Sequence, residues 1–202
     1  MRHFKSSRIA RMLSLVAAVS LTGCVIEDSH DPSPGVPGVQ TWCRSLEGSS
    51  SGVIPLWDER GSFLSLESYA FPGYYIRHSG GRGVLSVIVS DRDEDEATFR
   101  IVPGLADDRC ISFEARSQPG SYLTQDDTDV VLAAWRSDPR FLEDATFCPR
   151  PGLADSDHIS FESCSYRGEF INQYEGLLFV NEGYGWEYEE DATFTLDYPW
   201  SP

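Results

Sequence analysis

The chain has 202 residues, of which 32 are Asp or Glu and 16 are Lys or Arg, so its formal net charge is −16 at pH 7. An acidic surface of this strength repels nucleic-acid phosphates and anionic surfaces, which excludes nucleic-acid binding as a function class. Neutral ligands are compatible with this charge, and cationic ligands are favoured by it.

The N-terminus has the pattern of an export signal. Residues 1–11 are basic and contain no acid, and the apolar run from Met12 to Leu21 is too short to span a bilayer. The run ends in LTGC, which resembles the lipobox of bacterial lipoproteins, where the last residue, Cys24, is lipidated after cleavage. We predict a signal peptide over 1–23 and a lipid-anchored protein outside the cytoplasm, with the outer membrane or cell surface favoured. The alternative is an ordinary cleavage site beside a cysteine present by chance.

Residues 24–62 are predicted to form a tether. The segment is rich in Pro, Gly, Ser and Asp, a composition that buries too little apolar surface to order itself. Apolar residues such as Trp42 and Ile54 interrupt it, which suggests that its end packs on the domain that follows. Removal of the signal peptide leaves 12 arginines against 32 acids, a net charge of −20.

Three tandem repeats make up the rest of the chain, at residues 63–110, 111–158 and 159–202. Each opens on a similar block, LSLES, ISFEA or ISFES, at a period of about 48 residues. A second marker, EATF or DATF, follows in each repeat, and PGLAD follows in the first two, at Pro103–Asp107 and Pro151–Asp155. A fixed period of this length indicates a unit that buries its apolar face by stacking on its copies.

From Phe63 onward the chain has an all-β texture. Short runs rich in Val, Ile, Tyr and Phe alternate with Gly, Pro, Asp and Asn, and no stretch shows convincing helical periodicity. Each repeat offers four runs, which predicts these twelve strands: Leu64–Tyr69, Tyr74–His78, Val84–Val89, Ala97–Val102, Ile111–Ala115, Ser121–Gln125, Val130–Ala134, Ala145–Cys148, Ile159–Cys164, Glu169–Gln173, Leu177–Val180 and Ala192–Asp197. Three units of four strands predict a β-trefoil, a six-stranded barrel with three capping hairpins; a three-bladed propeller is disfavoured because four blades is the usual minimum.

Equivalent apolar positions of the repeats are expected to meet around a pseudo-threefold axis. They form three sets: Leu66, Phe113 and Phe161; Ile76, Leu123 and Ile171; Phe99, Phe147 and Phe194. A barrel closed around such a core leaves no free sheet edge.

Four cysteines remain besides Cys24: Cys43, Cys110, Cys148 and Cys164. An even number in an exported chain indicates disulfides, and four cysteines allow three pairings. Cys110 and Cys148 bracket the second repeat, and a bond between them would close a loop of about 38 residues and stabilise the fold by roughly 3–4 kcal/mol. Zinc is not expected because no two of the cysteines lie at ligand spacing, and neither another metal nor a cofactor is expected.

Two stretches carry a family resemblance. Residues 65–78 read SLESYAFPGYYIRH, and residues 143–154 read EDATFCPRPGLA. In order and spacing they resemble the arabinose-binding domain of the α-L-arabinofuranosidase B family, the family 42 carbohydrate-binding module, over residues 63–198. The resemblance implies a β-trefoil, a Cys110–Cys148 disulfide that leaves Cys43 and Cys164 as the other pair, and recognition of arabinofuranose branches on arabinoxylan or arabinan.

The resemblance also implies where sugar would bind. Family pockets use the histidine that ends a Tyr-(Leu/Ile)-Arg-His strand, an apolar or aromatic neighbour, and the aspartate of Asp-Ala-Thr-Phe. The matching positions are His78 with Glu96, Gln125 with Asp144, and Gln173 and Tyr174 with Asp191. A carboxylate accepts from vicinal hydroxyls, and imidazole adds a donor and a flat face. The chain departs from the pattern in every repeat, since Glu96 replaces an aspartate and two glutamines replace histidines.

Other interpretations of these residues remain open. The acid of each second marker could cap a turn through its own backbone, and His78 could be a surface histidine paired with a carboxylate. The acid-rich loops Asp91–Glu96 and Asp126–Asp129 could hold calcium, although neither has EF-hand spacing. Glycoside hydrolysis by a carboxylate pair is disfavoured because no catalytic domain is recognised, although the family label carries arabinofuranosidase activity.

Together these observations predict a non-catalytic carbohydrate-binding lipoprotein. We expect it to hold arabinose-containing plant polysaccharide at the cell surface, accessory to α-L-arabinofuranosidase and L-arabinose metabolism, and to be a monomer. The alternative is an envelope interaction or structural protein on the same scaffold with decayed sugar pockets.

Overall fold

The computed structural model describes Cys43, residues 52–56 and residues 58–201. The predicted signal peptide, Cys24 and most of the tether lie outside these residues. Within the described part, no helix is long and apolar enough to cross a membrane.

Each repeat consists of three strands, a six-residue helix and a fourth strand. The strands are β1 (Phe63–Ser68), β2 (Tyr75–Ser79), β3 (Arg82–Ser86), β4 (Phe99–Pro103), β5 (Ile111–Ala115), β6 (Ser121–Asp126), β7 (Asp129–Ala134), β8 (Phe147–Pro151), β9 (Ile159–Ser163), β10 (Phe170–Tyr174), β11 (Leu177–Asn181) and β12 (Phe194–Asp197). The helices are α1 (Asp91–Glu96), α2 (Pro139–Asp144) and α3 (Trp186–Asp191). The prediction of four strands per repeat is confirmed.

Six of the strands close a barrel. Antiparallel pairing runs around the ring β1, β4, β5, β8, β9, β12 and back to β1. The remaining strands form the hairpins β2–β3, β6–β7 and β10–β11, which also pair with one another. This architecture is the predicted β-trefoil, and the closed ring leaves the barrel strands without a free edge.

The core lies inside the barrel and under the hairpins. All nine residues of the three predicted apolar sets are fully buried and belong to one hydrophobic cluster. The ring of Phe113 lies 6.2 Å from that of Phe99, 6.1 Å from Phe147 and 5.0 Å from Phe161, measured between centroids. Repeat-equivalent residues therefore meet around a common axis, as predicted.

The three helices were missed by the sequence analysis. Six residues make fewer than two helical turns, which is too short for a periodic apolar pattern. The acid-rich stretch Asp91–Glu96, expected to be a loop, is α1, whose N-terminus is capped by Ser90. Asp138 caps α2 through a hydrogen bond from the N–H of Phe141. As a result, the predicted third and fourth strands of the first repeat extended into residues that flank a helix.

Two disulfides join Cys110 to Cys148 and Cys43 to Cys164, the pairs expected above. All four cysteines are buried in one cluster against which Val53 packs. The Ile54 N–H donates to Pro149 O at 2.9 Å, and Leu56 packs against the barrel core. The short segment 52–56 thus lies on the trefoil.

A hydrogen bond from a backbone N–H to a threonine hydroxyl joins each repeat to the next. In the PGLAD loops, the N–H of Ala106 donates to Thr146 Oγ1 at 3.0 Å, and that of Ala154 donates to Thr193 Oγ1 at 3.1 Å. No PGLAD follows the third repeat, but its C-terminal segment makes the equivalent bond, from the N–H of Ser201 to Thr98 Oγ1 at 3.0 Å. The C-terminal segment therefore closes the ring of repeats.

Deleting residues 200–202 is expected to lower the free energy of unfolding by about 1–3 kcal/mol. The deletion removes the Ser201 bond and the bond from the Trp200 N–H to Ser65 Oγ, both made to fully buried hydroxyls. Urea unfolding followed by fluorescence measures the change. Tyr198→Ala, at a 90% exposed position, is the control and should change stability by less than about 0.5 kcal/mol. An unchanged unfolding midpoint in the truncated chain would contradict ring closure by this segment.

Candidate functional site

Each candidate pocket combines the last residue of a short helix with a residue near the end of the second strand. The helix residues are Glu96, Asp144 and Asp191, and the strand residues are His78, Gln125 and Gln173. After each helix, the capping N–H donates to helix carbonyls rather than to the acid side chain. An acid here is disfavoured by the carbonyls of the last turn, so helix stability does not explain the three acids. The side-chain contacts of Glu96, Asp144 and Asp191 explain why acids are found there.

In the first repeat, two arginines hold the carboxylate of Glu96. Its Oε2 accepts from Arg77 Nη1 at 2.7 Å, and its Oε1 accepts from Arg92 Nε at 2.8 Å. The imidazole of His78 is buried, and its Nε2 lies 2.6 Å from Ser117 Oγ. Both oxygens of Glu96 therefore already carry a charged donor.

Burial lowers the pKa of His78 below its usual 6.5; Glu96 opposes this effect, and Arg77 and Arg92 add to it. Because unfolded His78 binds a proton at a higher pH than folded His78, stability should fall as the pH drops below about 6.5. His78→Gln, which installs the residue of the equivalent positions, should remove that contribution. Urea unfolding at several pH values between about 7.5 and about 5 measures it. An identical pH slope in the variant and the parent chain would contradict the assignment.

In the second repeat, Asp144 is held by one cation and one hydroxyl. Its Oδ2 accepts from Arg140 Nε at 3.0 Å, and its Oδ1 accepts from Ser165 Oγ at 2.6 Å. Arg140 also donates through Nη2 to the hydroxyl of Tyr166 at 3.0 Å. The carboxylate is thus fixed in orientation by residues of two repeats.

A concavity of about 400 Å³ is lined by both Gln125 and Asp144. Arg136, Arg140 and Phe141 are among its other lining residues. The amide of Gln125 is oriented by its own contacts: Nε2 donates to the carbonyl oxygen of Asp127 at 2.7 Å, and Oε1 accepts from Ser163 Oγ at 3.0 Å. A small polar ligand can therefore meet a preoriented carboxylate and amide in one place.

In the third repeat, the two candidate residues bond to each other. Nε2 of Gln173 donates to Oδ1 of Asp191, and Oε1 of Gln173 accepts from the N–H of Gly176 at 3.2 Å. Burial raises the pKa of Asp191, with Glu190 and Glu187 adding to this effect and the Gln173 bond opposing it. Tyr174, proposed as a stacking residue, is 65% exposed.

Three residues of this site, Arg140, Ser165 and Tyr166, were not predicted from the sequence. Arg140 lies four residues before Asp144, a spacing that becomes a signal only once α2 is known to be a helix. Ser165 and Tyr166 belong to the following repeat, and no local pattern relates them to Asp144. The tertiary structure alone reveals their part in the site.

A cluster of sulfurs does not offer a metal site. Among the described residues, the Sγ atoms of Cys43, Cys110 and Cys148 lie within 4.8 Å of one another. All three cysteines are in disulfides, so they provide no thiolate ligands.

A family model for the alpha-L-arabinofuranosidase B (ABFB) domain matches residues 64–196. The chain belongs to this domain family. The match spans both markers of each of the three repeats, which confirms the resemblance that the sequence suggested. It includes the six residues of the three candidate pockets.

Curated relatives in fungi are much longer than this chain. A probable alpha-L-arabinofuranosidase B from Aspergillus fumigatus is 36% identical over 90 residues, which is 42% of this chain and 18% of that protein. The alpha-L-arabinofuranosidase B of Aspergillus niger is 34% identical over 79 residues, which is 36% of this chain and 16% of that protein. The aligned chain therefore spans less than a fifth of these relatives.

Solved arabinofuranosidases share the architecture. An arabinofuranosidase complexed with arabinofuranosyl-α-1,2-xylobiose superposes with a TM-score of 0.68 at 26% identity, covering 74% of this chain and 33% of that one. A GH54 α-L-arabinofuranosidase soaked with a cyclic sulfate inhibitor gives 0.67, also at 26% identity and the same coverage. The BEL β-trefoil, at 11% identity and a TM-score of 0.53, supports the fold alone.

Proposed function

We propose that this chain is a non-catalytic carbohydrate-binding domain that recognises arabinofuranose side chains of arabinoxylan or arabinan. Membership of the arabinofuranosidase B domain family supports an arabinofuranose ligand, and so does the likeness to an arabinofuranosidase complexed with an arabinofuranosyl oligosaccharide. The observation that carries the proposal is the concavity of the second repeat, which presents Asp144 and Gln125 together.

The chemistry of this concavity suits a neutral sugar. A carboxylate has about four lone-pair sites, and in Asp144 one bond from Arg140 and one from Ser165 leave acceptor capacity on both oxygens. Vicinal hydroxyls of a furanose ring can donate to this remaining capacity. Apolar side chains of Val131 and Ala133 line the same concavity and offer contact to ring carbons. Arg140 balances the charge of Asp144, and Asp126 and Asp127 also line the concavity.

Binding without hydrolysis is part of the proposal. The chain covers a third of the solved arabinofuranosidases that it matches, and the shared part is the domain of the family model. A glycosidase needs two carboxyl groups placed on either side of the scissile bond. Besides Asp144, the concavity is lined by Asp126 and Asp127, which are exposed at the turn between β6 and β7. Purified protein should release no 4-nitrophenol from 4-nitrophenyl α-L-arabinofuranoside above the rate of a buffer blank, and release would contradict this part.

Membrane anchoring through Cys24 is likewise proposed, on the strength of the LTGC sequence and the basic, apolar N-terminus. An anchored trefoil at the cell surface would display its pocket to polysaccharide and gain avidity from many copies. Metabolic labelling with a fatty acid should mark the wild-type chain and not Cys24→Ala. Equal labelling of the two chains would contradict the anchor.

Asp144→Ala is expected to weaken binding of arabinofuranosyl-α-1,2-xylobiose by more than about 100-fold, because a preoriented charged acceptor is lost. Asp144→Asn keeps the shape and one acceptor and should weaken binding less. Titration calorimetry measures both, with xylobiose as the ligand control. Full affinity in Asp144→Ala would contradict the assignment of the site.

A second candidate function is an envelope interaction or structural role without sugar binding. It is favoured by the state of the other two pockets, where Glu96 is occupied by arginines and Asp191 by Gln173. Absence of binding at millimolar oligosaccharide by folded protein, together with a protein partner recovered by crosslinking, would decide for it.

A further inference from the structure

Each candidate pocket is completed by the repeat that follows it. Equivalent backbone bonds connect the threonine after each acid to the start of the next repeat: Arg116 to Thr98, Cys164 to Thr146 and Tyr69 to Thr193, at 3.1, 3.0 and 3.0 Å. The third pocket is therefore completed by the first repeat. We call these bonds, in this order, the first, second and third junctions. The two residues after the donor differ among them, and the first of the two bonds to the preceding repeat at His78 in the first junction and at Asp144 in the second.

The second junction holds a complete set of side chains around its acid. Ser165 and Tyr166 follow Cys164, and Arg140 lies one helical turn before Asp144. The serine donates to one carboxylate oxygen, the arginine donates to the other, and the tyrosine hydroxyl accepts from the arginine. These three bonds fix the orientation of the Asp144 carboxylate, and Asp144 lines the concavity.

The third junction has neither the serine, the tyrosine nor the arginine at the equivalent positions. Ala70 and Phe71 follow Tyr69 where the second junction has a serine and a tyrosine, and Glu187 lies four residues before Asp191 where the second has an arginine. None of these side chains can donate a hydrogen bond to a carboxylate. The amide of Gln173, the residue that would bind sugar beside the acid, donates to it instead.

The first junction keeps the serine and the arginine, but only the arginine, Arg92, bonds to the acid. Ser117 contacts the ring of His78 rather than the acid, and Arg77 takes the oxygen of Glu96 that the serine would reach. With Arg92 on the other oxygen, the carboxylate accepts from two cations, whereas that of Asp144 accepts from one cation and one hydroxyl. Gln118 stands where the second junction has a tyrosine.

We infer that the junction of the second and third repeats is the single arabinofuranose site of this chain, that Ser165 is a positioning residue for Asp144, and that Gln173 closes the third pocket. This rests on the proposed function and specifies which of three similar sites performs it. The expected stoichiometry is one ligand per chain because, of the three acids, Asp144 is the one that accepts a hydrogen bond from a hydroxyl of the next repeat.

Titration calorimetry of the full chain with arabinofuranosyl-α-1,2-xylobiose tests the inference. We expect one ligand per chain, and Ser165→Ala should bind about ten-fold more weakly, the loss of one bond to a charged group. Ser165→Thr restores the hydroxyl and should bind within about three-fold of the parent chain. Asp191→Ala, the matched change at the third junction, should bind as the parent chain does, with the same stoichiometry.

The outcomes separate the inference from the proposed function. Two or three ligands per chain, or loss of affinity in Asp191→Ala, would overturn the single site while leaving sugar binding intact. Unchanged affinity in Ser165→Ala, or an equal loss in Ser165→Thr with an unchanged melting temperature, would overturn the positioning role. No binding by the parent chain would overturn the proposed function and this inference together.

Discussion

Phe113→Ala is expected to lower the free energy of unfolding by about 4 kcal/mol, within the range for large buried aromatic residues. The Phe113 side chain is fully buried, and its ring contacts three others, those of Phe99, Phe147 and Phe161. These rings come from strands of all three repeats, so the barrel cannot close around the missing volume without displacing strands that pair with one another. The substitution therefore costs both the transfer free energy of the ring and that of a cavity.

Urea unfolding at pH 7, followed by intrinsic fluorescence, measures this loss. Tyr184→Ala removes a ring of similar size from a 94% exposed position and should change stability by less than about 0.5 kcal/mol. A loss below about 2 kcal/mol for Phe113→Ala would mean that the barrel collapses easily around the cavity. It would contradict a rigid core shared by the three repeats.

Removing the Cys110–Cys148 disulfide by substituting both cysteines with alanine is expected to cost about 4 kcal/mol. The bond joins residues 38 apart in sequence, and breaking it restores conformational freedom to that loop in the unfolded chain. Both cysteines are buried, so the alanines also leave unfilled volume beside Cys43 and Cys164. Substituting both cysteines avoids a free thiol that could exchange with the second disulfide.

Thermal and urea unfolding of the double variant against the parent chain measure the cost. Val89→Ala, at an 80% exposed position, serves as the control and should leave the midpoint unchanged. A difference below about 1 kcal/mol would contradict a stabilising role for the bond. It would mean that residual structure already restricts this loop in the unfolded chain.

Much of the fold could be predicted because its determinants repeat in the sequence. Apolar residues recur at equivalent places in each repeat, as Phe99, Phe147 and Phe194 do, and residues related by such a repeat must meet if the units close into one barrel. The helices could not be predicted, since six residues carry too little periodicity. The capping residues Ser90 and Asp138 are the local sequence signal for the starts of α1 and α2, and α3 has no side-chain cap.

The candidate site was likewise predicted in part from the sequence and in part visible only in the structure. The family markers locate the acids and their strand partners, and the structure places Gln125 and Asp144 in one concavity. The family pattern assigns the same roles to matching positions of the three repeats, although this chain departs from it at Glu96, Gln125 and Gln173. The difference among them lies in Ser165, Ala70 and the interaction of Gln173 with Asp191, which no pattern within a repeat reveals.

The amino-acid sequence by itself determined the number of repeats, the order of the strands and the identity of the buried rings, because apolar periodicity and turn residues act over a few neighbouring positions. Only the tertiary structure decided the set of hydrogen-bond donors around each acid. That property depends on side chains from adjoining repeats, such as Ser165 beside Asp144, and hydrogen bonds form according to distance in space rather than distance along the chain.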